Sequence, residues 1–187
     1  MFQQGREGYA GTWDSFLNGW SPDANHSVYN MMWLRSGEWM QPVLRFDLST
    51  VPADARVASA TLSLYVNSSS NSYSVEVRAY RLNRPWAVSE VTWNQAANGQ
   101  PWGQAGANEA GTDRAWEYAA QCALAGTGAW LELDLTALVQ NWVNAPDQNY
   151  GLVLKGIGAA GVRYDLLASE FWNVALRPKL AVTYQSP

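Results

Sequence analysis

Strict alternation of apolar and polar residues is what most restricts the fold of this chain. In Ala58-Ala60-Leu62-Leu64-Val66 every second residue is apolar, and Ser59, Thr61, Ser63 and Tyr65 fill the places between. Side chains along an extended strand point to opposite faces in turn, so this spelling describes a strand with one buried and one wet face. The same period returns at Tyr73-Val75-Val77-Ala79, Ala129-Leu131-Leu133, Tyr150-Leu152-Leu154, Val162-Tyr164-Leu166-Ala168 and Leu180-Val182-Tyr184. Residues 39–48 read as a further strand with Leu44, Phe46 and Leu48 inward, and Pro42 marks an irregular start or an edge. Clusters of turn-forming residues at 49–54, 67–72, 125–128 and 156–161 separate these runs.

One segment changes period. Leu135, Leu138, Val139, Trp142 and Val143 recur at helical spacing, with Asp134 or Thr136 as the cap and Pro146 as the stop. Residues 84–115 follow neither period; they are rich in Trp, Gly and Asn and too long for a simple connection. The expected fold is all-β, a jelly-roll-type β-sandwich of two antiparallel sheets with one short α-helix. The inner faces of the two sheets meet and the outer faces are wet. A single domain over residues 1–187 is expected, with residues 1–12 as a polar N-terminal arm.

Composition narrows the function classes. Charged residues are 15% of the chain and apolar residues 48%, a balance that favours strands over bundles or disorder. Net charge is −4 and no basic run occurs, which argues against a nucleic-acid partner. Cys122 stands alone, so no internal disulfide forms. No apolar stretch approaches the roughly 18 residues that cross a bilayer, so the chain is not read as membrane-spanning. Residues 1–12 contain no signal-peptide core, and the domain reads as one already processed or cut from a longer protein.

Several strings occur together in a recognisable order. Leu44-Arg45-Phe46-Asp47-Leu48 precedes Val51-Pro52 and Val57-Ala58-Ser59-Ala60-Thr61-Leu62-Ser63-Leu64-Tyr65. Val91-Thr92-Trp93-Asn94, Trp102-Gly103 and Leu133-Asp134-Leu135-Thr136 follow, then Val139-Gln140-Asn141-Trp142 and Asn149-Tyr150-Gly151-Leu152. Ala168-Ser169-Glu170, Arg177-Pro178-Lys179-Leu180 and Thr183-Tyr184 close the series. Over residues 40–184 the chain resembles the DNRLRE domain family of microbial extracellular proteins. That family is similar to carbohydrate-binding modules with alginate-binding members and to disaggregatase-related domains. The Asp-Asn-Arg-Leu-Arg-Glu string itself is absent. The resemblance implies an extracellular or cell-surface β-sandwich that is an accessory or structural module and not an enzyme.

Catalytic chemistry finds little material. His26 is the one histidine and lies in a loop-like Asn25-His26-Ser27 context, and zinc ligands of the Cys/His kind are missing. Glu132 and Asp134 share a strand face about 7 Å apart, a glycosidase-like spacing, but they read better as a polar face running into a helix cap. Glu170 is expected to pair with Arg45 or Arg177. No cofactor is expected beyond a structural calcium ion, for which Asn108, Glu109 and Asp113 form the densest loop cluster of oxygen ligands.

Eleven tryptophans then pose the functional question. Trp13, Trp130 and Trp142 fall where a core would take them, whereas Trp20, Trp39, Trp102 and Trp172 stand in loop-like surroundings. An indole outside the core stacks on a sugar ring or packs against another subunit. The first reading is a non-catalytic module that grips a polysaccharide through Tyr65, Arg78, Tyr80, Lys155 and Arg163 on a wet sheet face. The second is a subunit of an extracellular filament or matrix whose partners are copies of itself. Its contacts would be Trp20, Met31, Met32, Trp33, Trp39 and Met40, or donation of the N-terminal arm to a neighbour's sheet, giving a homopolymer.

Overall fold

The computed structural model describes residues 1–186. Its strands are β1 (Phe2–Gln3), β2 (Thr12–Asn18), β3 (Met31–Arg35), β4 (Met40–Phe46), β5 (Arg56–Ser69) and β6 (Val75–Arg81). They continue with β7 (Gln95–Ala97), β8 (Gln100–Pro101), β9 (Ala120–Leu124), β10 (Ala129–Asp134), β11 (Leu152–Ile157), β12 (Arg163–Leu167) and β13 (Lys179–Gln185). One helix, α1 (Thr136–Asn144), lies between β10 and β11. The fold is the expected β-sandwich.

Pairing runs β1-β13-β5-β12-β3-β4-β11-β6-β9, with β10 on β5 and β2 on β4. This path curls into two antiparallel layers, one holding β13, β5, β10 and β12, the other β2, β4, β11, β6 and β9. Leu62, Leu64, Leu131, Leu133 and Leu166 from the first layer meet Phe16, Leu44, Phe46, Val77 and Leu154 from the second in one buried cluster. Fully burying such a side chain contributes about 1.5–3 kcal/mol, which ties the alternation directly to stability.

The helix closes the core with Leu138, Val139, Trp142 and Val143. Leu135 takes the N-cap position without a side-chain cap, and Asp134 just before it accepts the Thr136 N–H at 2.9 Å and the Thr136 hydroxyl at 2.6 Å through Oδ1. Pro42 sits inside β4, opposite Phe16 of β2. Pairing of β4 with β11 stops one residue away at Val43, so the ring falls where that ladder has ended.

Two expectations are corrected. The outer face of the second layer is wet only at its β6–β9 edge, where Glu76 and Gln121 are exposed; elsewhere Leu17, Val43, Tyr80, Leu82 and Val153 form a second buried cluster with Trp86, Val91, Ala96 and Trp102 from the long irregular segment. Residues 84–115 are therefore a roof, and the part of the sheet directly beneath it is buried on both faces. The N-terminal arm is also engaged within the chain, since Phe2 and Gln3 pair with Leu180 and Lys179 of β13. Gln3 Nε2 donates to the Arg177 carbonyl at 3.0 Å. The segment expected to serve a neighbour's edge completes its own.

Candidate functional site

The roof is pinned by polar contacts that a long loop needs if it is to hold one shape. Trp86 Nε1 donates to the Tyr150 carbonyl at 2.8 Å, and Trp102 Nε1 donates to the Thr92 carbonyl at 3.0 Å. Asn25 reaches across from another loop and donates to the Val88 and Val91 carbonyls. Asp113 is fully buried and accepts the N–H groups of Gly103, Gln104 and Glu109, with Arg84 at 3.6 Å.

The hairpin joining β3 to β4 meets this roof at its rim. Gly37 and Glu38 turn the chain with φ of 75° and 60°, a conformation that glycine adopts freely. The turn presents Trp39, which is 49% exposed. Its ring lies against Trp93 of the roof at 6.3 Å between centroids and 12° between planes. Gly19 leaves the space they need, because a Cβ there would meet the Trp39 ring at 2.8 Å. At that separation the two indoles leave no room for a ring between them, so they form one stepped platform.

Beside the platform is a cleft of about 380 Å³ lined by Glu38, Trp39, Trp93, Gln104, Asn108 and Arg114. Lys155 is buried behind Glu38 and Asn108 of its lining. Its ammonium is 3.2 Å from Glu38, donates to Gln41 Oε1 at 2.6 Å and also donates to Asn108 Oδ1. Burial lowers its pKa to about 8, against the opposing pull of Glu38. Arg114 stacks 4.3 Å over Tyr80 and donates to the Ala115 carbonyl, while its buried Nε has no partner among the described residues. The cleft thus combines a flat apolar wall with amide and guanidinium groups along its edge. Such a surface offers ring stacking and hydrogen bonds to hydroxyls.

The residues expected to hold sugar do not converge. Arg78 is paired with Glu76 at 2.6 Å, and Tyr80 and Lys155 lie under the roof at 7% and 1% exposure. The correction has a simple cause: alternation assigns them to the outer face, and the roof covers that face. Tyr65 is on the other layer, edge-on to Trp130 at 5.3 Å. Arg163 is also on that layer, bound to Asp165 at 2.8 Å and stacked on Trp33 at 4.6 Å.

The expected assembly residues divide as well. Trp20 and Trp39 are exposed and Met31 and Trp33 are half-buried, but Met32 and Met40 are core residues at 1% and 2% exposure. They occupy inward positions of β3 and the start of β4. The proposed calcium ligands do not fit an ion. Asp113 is saturated by amide N–H groups, Asn108 Oδ1 accepts from Lys155, and no group of three acidic, His or Cys side chains among the described residues converges.

Trp102, placed outside the core from its surroundings, is 4% exposed; Trp13 and Trp130, placed inside, are half-buried. Glu170 accepts the Ser169 hydroxyl, and Arg177 spends its donors on the Phe171 and Gln4 carbonyls. Arg45 stacks on Trp13 at 4.4 Å. Buried Asp14 accepts the Ser169 N–H at 2.9 Å, and its pKa is raised by burial and then by the charge of Glu170. His26 stacks on Phe16 at 4.2 Å and is only 7% exposed, so its loop context concealed a packed ring.

Gln104, Arg114 and Trp93 were not among the expected binding residues. Each lies in the segment without periodicity, where residue type alone does not say which side chains face water. Among the described residues no helix is long and apolar enough to cross a membrane. Comparison with known families matches residues 9–184 to the profile of carbohydrate-binding module family 96. No curated protein matches the chain.

Proposed function

The chain belongs to carbohydrate-binding module family 96, and we propose that it holds a polysaccharide on the Trp39 indole in the cleft between roof and hairpin. The observation that carries this reading is the Trp39–Trp93 platform beside the Gln104, Asn108 and Arg114 side chains. A sugar ring lays its C–H face on an indole, and its hydroxyls need donors and acceptors at the rim of that contact. The platform is preorganised by the Gly19 gap and the fixed hairpin, so little ordering accompanies binding.

No turnover is proposed. Glu132 faces Ser63 at 3.4 Å, Asp134 is committed to the N–H and hydroxyl of Thr136, and the family description is one of binding. The resemblance to DNRLRE domains of extracellular proteins supports a secreted or surface-attached setting.

The test is affinity electrophoresis through gels containing mixed-linkage β-glucan, xylan, polygalacturonate or alginate. Retardation by at least one polymer, abolished by Trp39→Ala, is the expected result. Equal retardation of both proteins would sink the site, and free migration through every gel would sink the function.

A second reading, contact between copies, draws on Trp116 and Trp172, which are 74% and 78% exposed. Apolar rings that open to water suit an interface. Sedimentation at increasing concentration decides it: growth in mass that Trp172→Ala or Trp116→Ala reverses is expected, and an unchanging monomer refutes it.

A further inference from the structure

The Trp39 platform does not end at the hairpin. Met40 pairs with Asn18 of β2 on one side and with Arg35 of β3 on the other. Asn18 and Arg35 therefore lie within roughly 10 Å of each other, two strand spacings, at the end of the sheet that Trp39 caps. Trp20 leaves β2 at this point and folds back over that end. Arg35 sits 4.6 Å from the centre of its ring.

Trp20 is 59% exposed, yet the turn that carries it is held by hydrogen bonds. Its backbone N–H donates to Asn18 Oδ1 at 3.0 Å, Ser21 N–H donates to the Asn18 carbonyl at 3.0 Å, and Gly19 N–H donates to the Trp39 carbonyl at 2.9 Å. Arg35 has no carboxylate partner among the described residues, unlike Arg78 and Arg163. Stacking covers one face of its guanidinium and leaves the N–H edge for oxygen acceptors. An ordered, exposed indole beside an unpaired guanidinium repeats the chemistry of the Trp39 cleft a short step away.

We propose that Trp20 and Arg35 form a second subsite contiguous with the Trp39–Trp93 platform, so that the site takes an internal stretch of a linear polysaccharide. This rests on the Trp39 reading and adds to it the class of ligand. A chain lying across both subsites contacts two aromatic surfaces in series. A disaccharide or a chain terminus occupies only one.

The experiment is titration calorimetry with the polymer retained in the electrophoresis panel, with long oligosaccharides cut from it, and with its disaccharide. Trp20→Ala should weaken the polymer and the long oligosaccharides about ten-fold, the loss of one anchor aromatic, and leave the disaccharide unchanged. Arg35→Gln should follow the same pattern more weakly and serves as a control on the shape of the turn. Uniform weakening of all three ligands, or no change in any, overturns the second subsite while leaving the Trp39 reading intact. If Trp39→Ala alone leaves polymer binding unchanged, or nothing in the panel is retained, the underlying reading fails and the second subsite with it.

Discussion

Replacing Lys155 with Met separates a buried strut from a surface cation. The side chain is 1% exposed and its pKa is lowered from 10.5 to about 8. The sign follows from proton counting. Because the unfolded chain binds the Lys155 proton more tightly than the folded one, this group lowers stability below its folded pKa and ceases to do so as pH rises past the unfolded value. At 1.36 kcal/mol for each unit of difference, the penalty is roughly 3 kcal/mol near pH ~7 and falls by about 2 kcal/mol on reaching pH ~9.5. The stability of the native protein relative to Lys155→Met should therefore rise by about 2 kcal/mol across that interval. Urea unfolding of both proteins at a series of pH values measures the difference, and effects of Tyr9, Cys122 and Asp14 cancel because both proteins carry them. A gap that stays constant with pH would refute the buried ammonium and return Lys155 to the surface.

Trp102→Ala removes a roof anchor that is 4% exposed together with its hydrogen bond to Thr92; calorimetry should find a loss of roughly 3–5 kcal/mol. Asp14 keeps its proton above the ordinary carboxylate range, mainly through burial, so the folded state binds more protons and stability falls as pH rises from about 4. Asp14→Asn should flatten that decline, and an unaltered pH profile of unfolding would contradict it. Because amide N–H groups already saturate Asp113, EDTA and added calcium should leave the thermal midpoint where it is. A clear rise with calcium would restore an ion to the roof.

Much of the sandwich was legible because alternation is a direct record of which face is buried. The run from Ala58 to Val66 lies inside β5, and the runs around Leu131, Leu152, Leu166 and Leu180 lie in β10, β11, β12 and β13. The helical stripe from Leu135 to Val143 likewise corresponds to α1. Alternation does not say what lies beyond the second face. Tyr80 and Lys155 read as wet for that reason, although Val153 and Leu82, close to them in the sheet, already offered apolar residues to a cover. The cover itself was hidden because a roof without regular structure has no period. Its order resides in single contacts such as Asp113 with three backbone amides, which residue spacing does not encode. The indole platform was half-visible: Trp39 stood out as an indole among Gly and Glu, but its partner Trp93 is fifty-four positions away and only the fold brings the two together.

Eleven indole N–H groups make the chain its own reporter. Nuclear magnetic resonance of those signals during titration with a retained oligosaccharide reads every candidate surface at once. Shifts concentrated at Trp39 and Trp93, extending to Trp20 with a long oligosaccharide, with Trp86, Trp102 and Trp142 still, are the expected result. Shifts at Trp116 or Trp172 with Trp39 unmoved would contradict it.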